Sequence, residues 1–188
     1  MSTETKLELV FESLQTLARL SIQMLFEVRK KIKLLMDIEK IENCVGQHGG
    51  QDSVVELLKS FGVLSKPKLS GGKTDACEAT PKHGVDLTFT LESEIAGASS
   101  YPESALALVN ACFYGVATSE FTPYFSELPL GQTFGLAKDA LFKRLDSPSG
   151  TNESSRRFRW NEPYRRLMLV SNEGDLLELC SIQFVPIP

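Results

Sequence analysis

The stretch RLMLVSNEGDLLELCSIQFV, residues 166–185, decides the fold class. Leu167 and Leu169 sit in a short strand-like run, Asn172-Glu173-Gly174 supplies a tight turn, and Leu176 to Val185 follows as a longer apolar run. Strand, turn and strand in that order predict an antiparallel hairpin. Upstream, Arg156 to Trp160 alternates as a further strand, and Leu136 to Leu145 reads as a short amphipathic helix ending in Asp146-Ser147-Pro148. The first half has the same grammar. Asp52 or Ser53 caps a helix over Val54–Phe61, which Gly62 closes, and Lys66 to Thr74 is a loop. After a turn at Pro81–Gly84, Val85, Leu87, Phe89 and Leu91 alternate with Asp86, Thr88, Thr90 and Glu92, predicting a half-buried strand. Leu106 to Tyr114 is a second, more apolar strand. Val54–Gly62 falls on Lys138–Asp146, Val85–Leu91 on Arg165–Ser171, and Leu106–Phe113 on Leu177–Phe184. An internal duplication is the expectation.

Residues 5–42 contain neither Gly nor Pro, and Leu7, Val10, Phe11, Leu14, Leu17, Met24, Leu25, Val28, Ile32, Leu35 and Ile38 recur at helical intervals. A continuous helix of that length would run about 57 Å. It is expected either to fold back as a hairpin or to pair with a second copy. The predicted class is therefore α+β, a long N-terminal helix followed by two tandem helix-plus-antiparallel-sheet units. The expected domains are residues 1–45, 51–127 and 128–188.

The 188 residues carry a formal net charge of −4 and 42 % hydrophobic side chains, a globular balance. An acidic chain lacks the basic excess of a nucleic-acid binder. The N-terminal residues do not read as a secretory leader, and the apolar stretch Leu20–Phe26 is too short to span a bilayer. Cys44, Cys77, Cys112 and Cys180 are widely spread and are read as free thiols in a reducing compartment, so a cytoplasmic location without membrane association is expected.

The run Leu128-Pro129-Leu130-Gly131-Gln132-Thr133-Phe134-Gly135, opening a helix that ends Arg144-Leu145-Asp146-Ser147-Pro148, resembles bacterial immunity proteins of polymorphic toxin systems. Arg159-Trp160 and the hairpin around Asn172-Glu173-Gly174-Asp175 extend the likeness. More broadly, it looks like the αβ unit of β-lactamase-inhibitor-like folds. Asp146 stands where that family carries a glycine, while Gly62 keeps it in the first unit. The resemblance implies a cytoplasmic protein that binds one cognate toxin and occludes its active site, with no catalysis and no cofactor. A dimeric secretion chaperone for an effector protein is the alternative.

Residue chemistry alone leads to a similar expectation. Cys44, His48, Cys77 and His83 could in principle form a zinc set, but both histidines sit in turns where polar residues are ordinary, and no metal site is expected. Gly71-Gly72-Lys73-Thr74 lacks the first glycine of a phosphate loop, because Pro67 stands there. Nothing supplies a nucleophile with an orienting base. Charge is more informative, with acids dominating residues 75–127 and arginines the region from 138 to 166. Acidic clusters steer basic partners, and aromatic side chains anchor interfaces. The expected partner-binding set is Glu92, Glu94, Glu103, Glu120, Phe121, Tyr124, Glu127, Trp160 and Tyr164, although Trp160 fits a core position equally well. Homodimerisation through the N-terminal helix is a further expectation.

Overall fold

Period-two alternation along the chain produces seven strands in the computed structural model, which describes residues 24, 38–95, 101–162 and 165–185. The strands are β1 (Asp75–Thr80), β2 (Val85–Leu91), β3 (Leu106–Tyr114), β4 (Gly150–Asn152), β5 (Arg157–Glu162), β6 (Arg165–Ser171) and β7 (Leu177–Phe184). They form one antiparallel sheet in the order β1-β2-β3-β7-β6-β5-β4. Among the described residues the sheet is joined by helices α1 (Asp52–Ser60) and α2 (Lys138–Leu145), by helical residues 38–44 and by short 3-10 turns. Among the described residues no helix is long and apolar enough to cross a membrane.

This architecture corrects the expected fold class. The strands of both halves join in a single sheet where two separate helix-and-sheet units were expected, because β3 pairs with β7 over Asn110↔Gln183 to Tyr114↔Leu179. The described helices are short, and the described residues are mostly sheet. The expected helix over residues 1–45 lies, up to residue 37 and apart from Met24, outside the described residues.

The two halves nonetheless use one register. Val85 pairs with Phe113 as Arg165 pairs with Phe184, and Leu87 pairs with Ala111 as Leu167 pairs with Ile182. A register shift interrupts each hairpin, between Thr88 and Phe89 in the first and between Val170 and Ser171 in the second. Strands β1 and β5 match in length and pair with β2 and β6 respectively. Strand β5 follows the alternation of Arg156–Trp160, whereas β1 gave little warning: DACEAT has one β-branched residue at its end and one buried apolar position, Ala76.

One face of the sheet is dry. Leu87, Phe89 and Phe113 from the first half pack in the same apolar cluster as Phe158, Leu167, Leu169, Cys180 and Ile182 from the second. Ile41, Cys44, Val54, Leu57, Leu58 and Leu141 bring all the helical segments onto that face. Helix α1 ends as the glycine predicts: Gly62, at φ +80°, donates its N–H to Lys59 O, and Val63 donates to Leu58 O, each at 2.9 Å. In α2, Asp146 takes the same place at φ 59°, ψ −170°, a region glycine tolerates and other residues do not. What holds it there is Trp160, whose buried indole donates from Nε1 to Asp146 O at 3.3 Å.

Two outcomes are expected. Asp146→Gly relieves the backbone strain and raises stability by about 1 kcal/mol, measured by urea denaturation. Phe113→Ala, at the seam of the halves, lowers stability by about 3–5 kcal/mol and keeps a single unfolding transition for residues 38–185. Two separate transitions for the halves would contradict the shared core.

Candidate functional site

Because residues 38–44, α1 and α2 pack on the dry face, the alternate residues of every strand meet on the other one, where no described helix or strand covers them. Reading across the register, one row runs Ala79, Asp86, Cys112, Ser181, Met168, Arg159, Gly150, one residue per strand. A neighbouring row runs Tyr114, Leu179, Val170, Arg157, Asn152. The row on the other side runs Cys77, Thr88, Asn110, Gln183, Arg166, Asn161.

The face has an apolar middle and charged flanks of opposite sign. Cys112, Leu179, Met168 and Val170 are half-buried in the middle, around a Ser181 that is 2 % exposed. On one flank lie Asp75 and Asp86, joined by Glu120 from the segment after β3. Phe121 next to Glu120 stacks on Tyr114 at 4.3 Å between ring centroids, which holds that segment against the end of the face. On the other flank stand Arg157, Arg159 and Arg166. Arg166 Nε donates to Asn161 Oδ1 at 3.3 Å, and the Arg159 guanidinium lies across Gly150, where a Cβ would come within 2.9 Å of it. A shallow hollow of 220 Å³ opens between Arg157, Arg159 and Met168. Among the described residues, no carboxylate forms an ion pair with any of the three arginines.

Burial sets the electrostatics of the acidic flank. Desolvation raises the Asp86 carboxyl above its ordinary value; the Leu87 backbone hydrogen bond opposes this, and the Glu120 charge adds to it. Burial, then the charge of Asp86, pushes the Cys112 thiol up to about 11, which favours the protonated thiol at neutral pH. Tyr114 is pushed up to about 12, first by burial and then by its neighbours Cys112, Asp86 and Glu120. Three buried polar atoms on this face, Asp86 Oδ1, Asn110 Oδ1 and Ser181 Oγ, have no hydrogen-bond partner among the described residues.

The residues expected to bind a partner are not brought together. Glu94 and Glu103 are exposed at the β2–β3 connection, while Glu92 is half-buried there and its Oε1 accepts from Ser104 N at 2.6 Å. Glu120 and Glu127 lie beyond the other end of β3, a strand about 26 Å long by its nine residues. Phe121, Tyr124 and Trp160 are not exposed anchors. All three are buried, with Tyr124 packed on Phe113 at 5.0 Å between centroids and Trp160 against Phe142 at 6.0 Å. Phe125, 81 % exposed, is the aromatic of that loop that faces solvent. Tyr164 lies outside the described residues. The arginines of β5 and β6 were visible as a basic stretch, but only the sheet register shows that they share a face with Asp86.

Cys44, His48, Cys77 and His83 do not converge either. Cys44 is buried beside Ser53, whereas Cys77 is exposed on the helix-free face. His48 Nδ1 accepts from Gly50 N at 3.2 Å, and His83 meets Phe61 edge-on at 5.1 Å. Among the described residues no three His, Cys, Asp or Glu side chains are grouped as metal ligands. An open groove of 330 Å³ between residues 48–50, 66–67 and 102–106 has Lys66 as its fixed charge and touches none of the helix-free face.

No family model matches the chain, and no curated protein matches it. Among solved structures, a DUF4309 family protein, YjgB, from Bacillus subtilis subsp. subtilis str. 168 is similar over 69 % of this chain and 76 % of its own, with 12 % identity and a TM-score of 0.38. A likeness that distant says nothing about activity or partner.

Asp86 gives a pH test. Its folded-state value lies above the unfolded one, so the ionised carboxyl costs stability once the pH rises past the folded value, and that cost vanishes below the unfolded value. Asp86→Asn is therefore expected to raise the melting temperature at pH 7 and to leave it unchanged near pH 3. Equal shifts at both pH values would contradict a desolvated carboxylate.

Proposed function

We propose that this chain is a non-catalytic protein-binding inhibitor, an immunity protein that covers a cognate toxin, and that the helix-free face of its sheet is the covering surface. The observation that carries the reading is the arrangement of that face. An apolar middle of Cys112, Leu179, Met168 and Val170 is flanked by acids on one side and, on the other, by arginines that form no ion pair among the described residues. Apolar centres with polar rims and unengaged arginines are what protein interfaces are made of. The resemblance of residues 128–148 to immunity proteins supplies the toxin as the class of partner. Inhibition by coverage needs shape and charge complementarity and no turnover.

Compared with the acidic set read from the sequence, the binding surface moves. Glu94 and Glu103 sit at one end of β3 and Glu127 at the other, whereas Arg157, Arg159, Met168 and Asp86 share one face. The test is protection of growth in a cell expressing the cognate toxin, together with the affinity of the purified one-to-one complex. Arg157→Glu/Arg159→Glu is expected to weaken binding by about 30-fold or more and to abolish protection, with the far-UV circular dichroism spectrum unchanged. Glu94→Lys/Glu103→Lys is expected to protect like the wild type. The reverse pattern would move the surface back to the loops, and a chain that binds an unfolded export segment in place of a folded toxin would be a chaperone.

A further inference from the structure

We infer that the helix-free face also pairs with a second copy of this chain, face to face about a twofold axis that runs parallel to β7, so that the acidic flank of each copy meets the arginines of the other. The inference rests on the reading of this face as a binding surface and adds how that surface is occupied when no partner is bound.

The register makes the match specific. In a seven-stranded sheet with β7 in the middle, a twofold axis along β7 brings β3 over β6, β2 over β5 and β1 over β4 of the second copy. Rotation about that axis keeps each row on its own level. In the row Ala79, Asp86, Cys112, Ser181, Met168, Arg159, Gly150, Asp86 and Arg159 are both two strands from Ser181. Asp86 therefore falls opposite the second copy's Arg159, Cys112 opposite its Met168, and Ser181 opposite itself. In the neighbouring row Arg157 stands level with Tyr114, on which Phe121, next to Glu120, is stacked on the acidic side. A twofold axis across the strands would instead set acid on acid and arginine on arginine. Charge thus selects one of the two simple face-to-face arrangements.

The dimensions are adequate. Seven strands about 4.8 Å apart and about 20 Å long present a face of roughly 600 Å², close to the ~800 Å² of accessible surface each partner gives to a standard interface. Two sheets stacked about 10 Å apart, with strands within about 30° of each other, form the ordinary aligned sandwich. The small and flexible middle side chains, Cys112, Ser181 and Met168, suit close stacking, with thioether and thiol adapting to one another.

The experiment uses the full chain alone, so its outcome does not depend on any toxin. Sedimentation equilibrium is expected to show a monomer of 20.8 kDa in concentration-dependent exchange with a dimer, weaker at high salt. Arg157→Glu/Arg159→Glu and Asp86→Lys/Glu120→Lys are each expected to weaken self-association by about 30-fold or more, and an equimolar mixture of the two variants to form a heterodimer. Glu120→Lys mixed with Arg157→Glu, both at exposed positions, repeats the test if the half-buried Asp86 does not tolerate lysine. A monomeric wild type overturns the inference. So does a dimer that survives both reversals, which would place self-association elsewhere, or a mixture that fails to reassociate. If self-association holds and the face variants still protect against a toxin, the inhibitor reading of this face fails while the dimer stands.

Discussion

Everything in this fold depends on the pairing of β3 with β7. Each half of the chain ends in an apolar strand that has a partner on one side only, and an unpaired central strand would leave a row of buried N–H and C=O groups unsatisfied. Pairing the two last strands antiparallel satisfies both at once, from Asn110↔Gln183 to Tyr114↔Leu179. It also merges two small cores into one, with Phe113 and Cys180 cross-strand partners at the seam. A unit of about 60–75 residues alone buries too little apolar surface to be secure, whereas the joined sheet supports a core typical of a domain twice that size.

The same pairing creates the candidate site. Once the halves share a sheet, their helices are confined to one side, and the solvent-facing residues of seven strands become neighbours. Residues distant in the chain, such as Asp86 and Arg159, then lie in one register row. The charge difference between the halves, a mere compositional trend along the chain, becomes a polarity across a single surface. Burial sharpens it on the acidic flank, where Asp86 is desolvated beside Cys112 and Tyr114.

Much of the local structure was legible. The alternation of Val85–Leu91, the apolar run of Leu106–Tyr114 and the hairpin of residues 166–185 all became strands, since period-two burial needs only neighbouring residues to be visible. Gly62 closed α1 as its position required, because a left-handed residue is a local demand. Strands β1 and β4 were not legible. Cys77 and Ala79 are solvent-facing, and Gly150–Asn152 is a three-residue edge, so neither strand carries the apolar alternation by which strands are recognised. The buried positions of Phe121 and Tyr124 were invisible for the opposite reason, and that of Trp160 was one of two equal readings, since an aromatic in a polar stretch looks the same whether it is an anchor or a core residue.

By itself, the sequence determined the order of the two helices and of the strands β2, β3, β5, β6 and β7, the repetition of that order in two halves, and the separation of acids from arginines. Those properties follow from periodicity, turn chemistry and composition, which act over a few residues. Only the tertiary structure decided that the halves close into one sheet, that the helical segments share a side, and which charges face the same way. Those depend on hydrogen bonds between strands some seventy residues apart, and no local pattern encodes which last strand will satisfy the other.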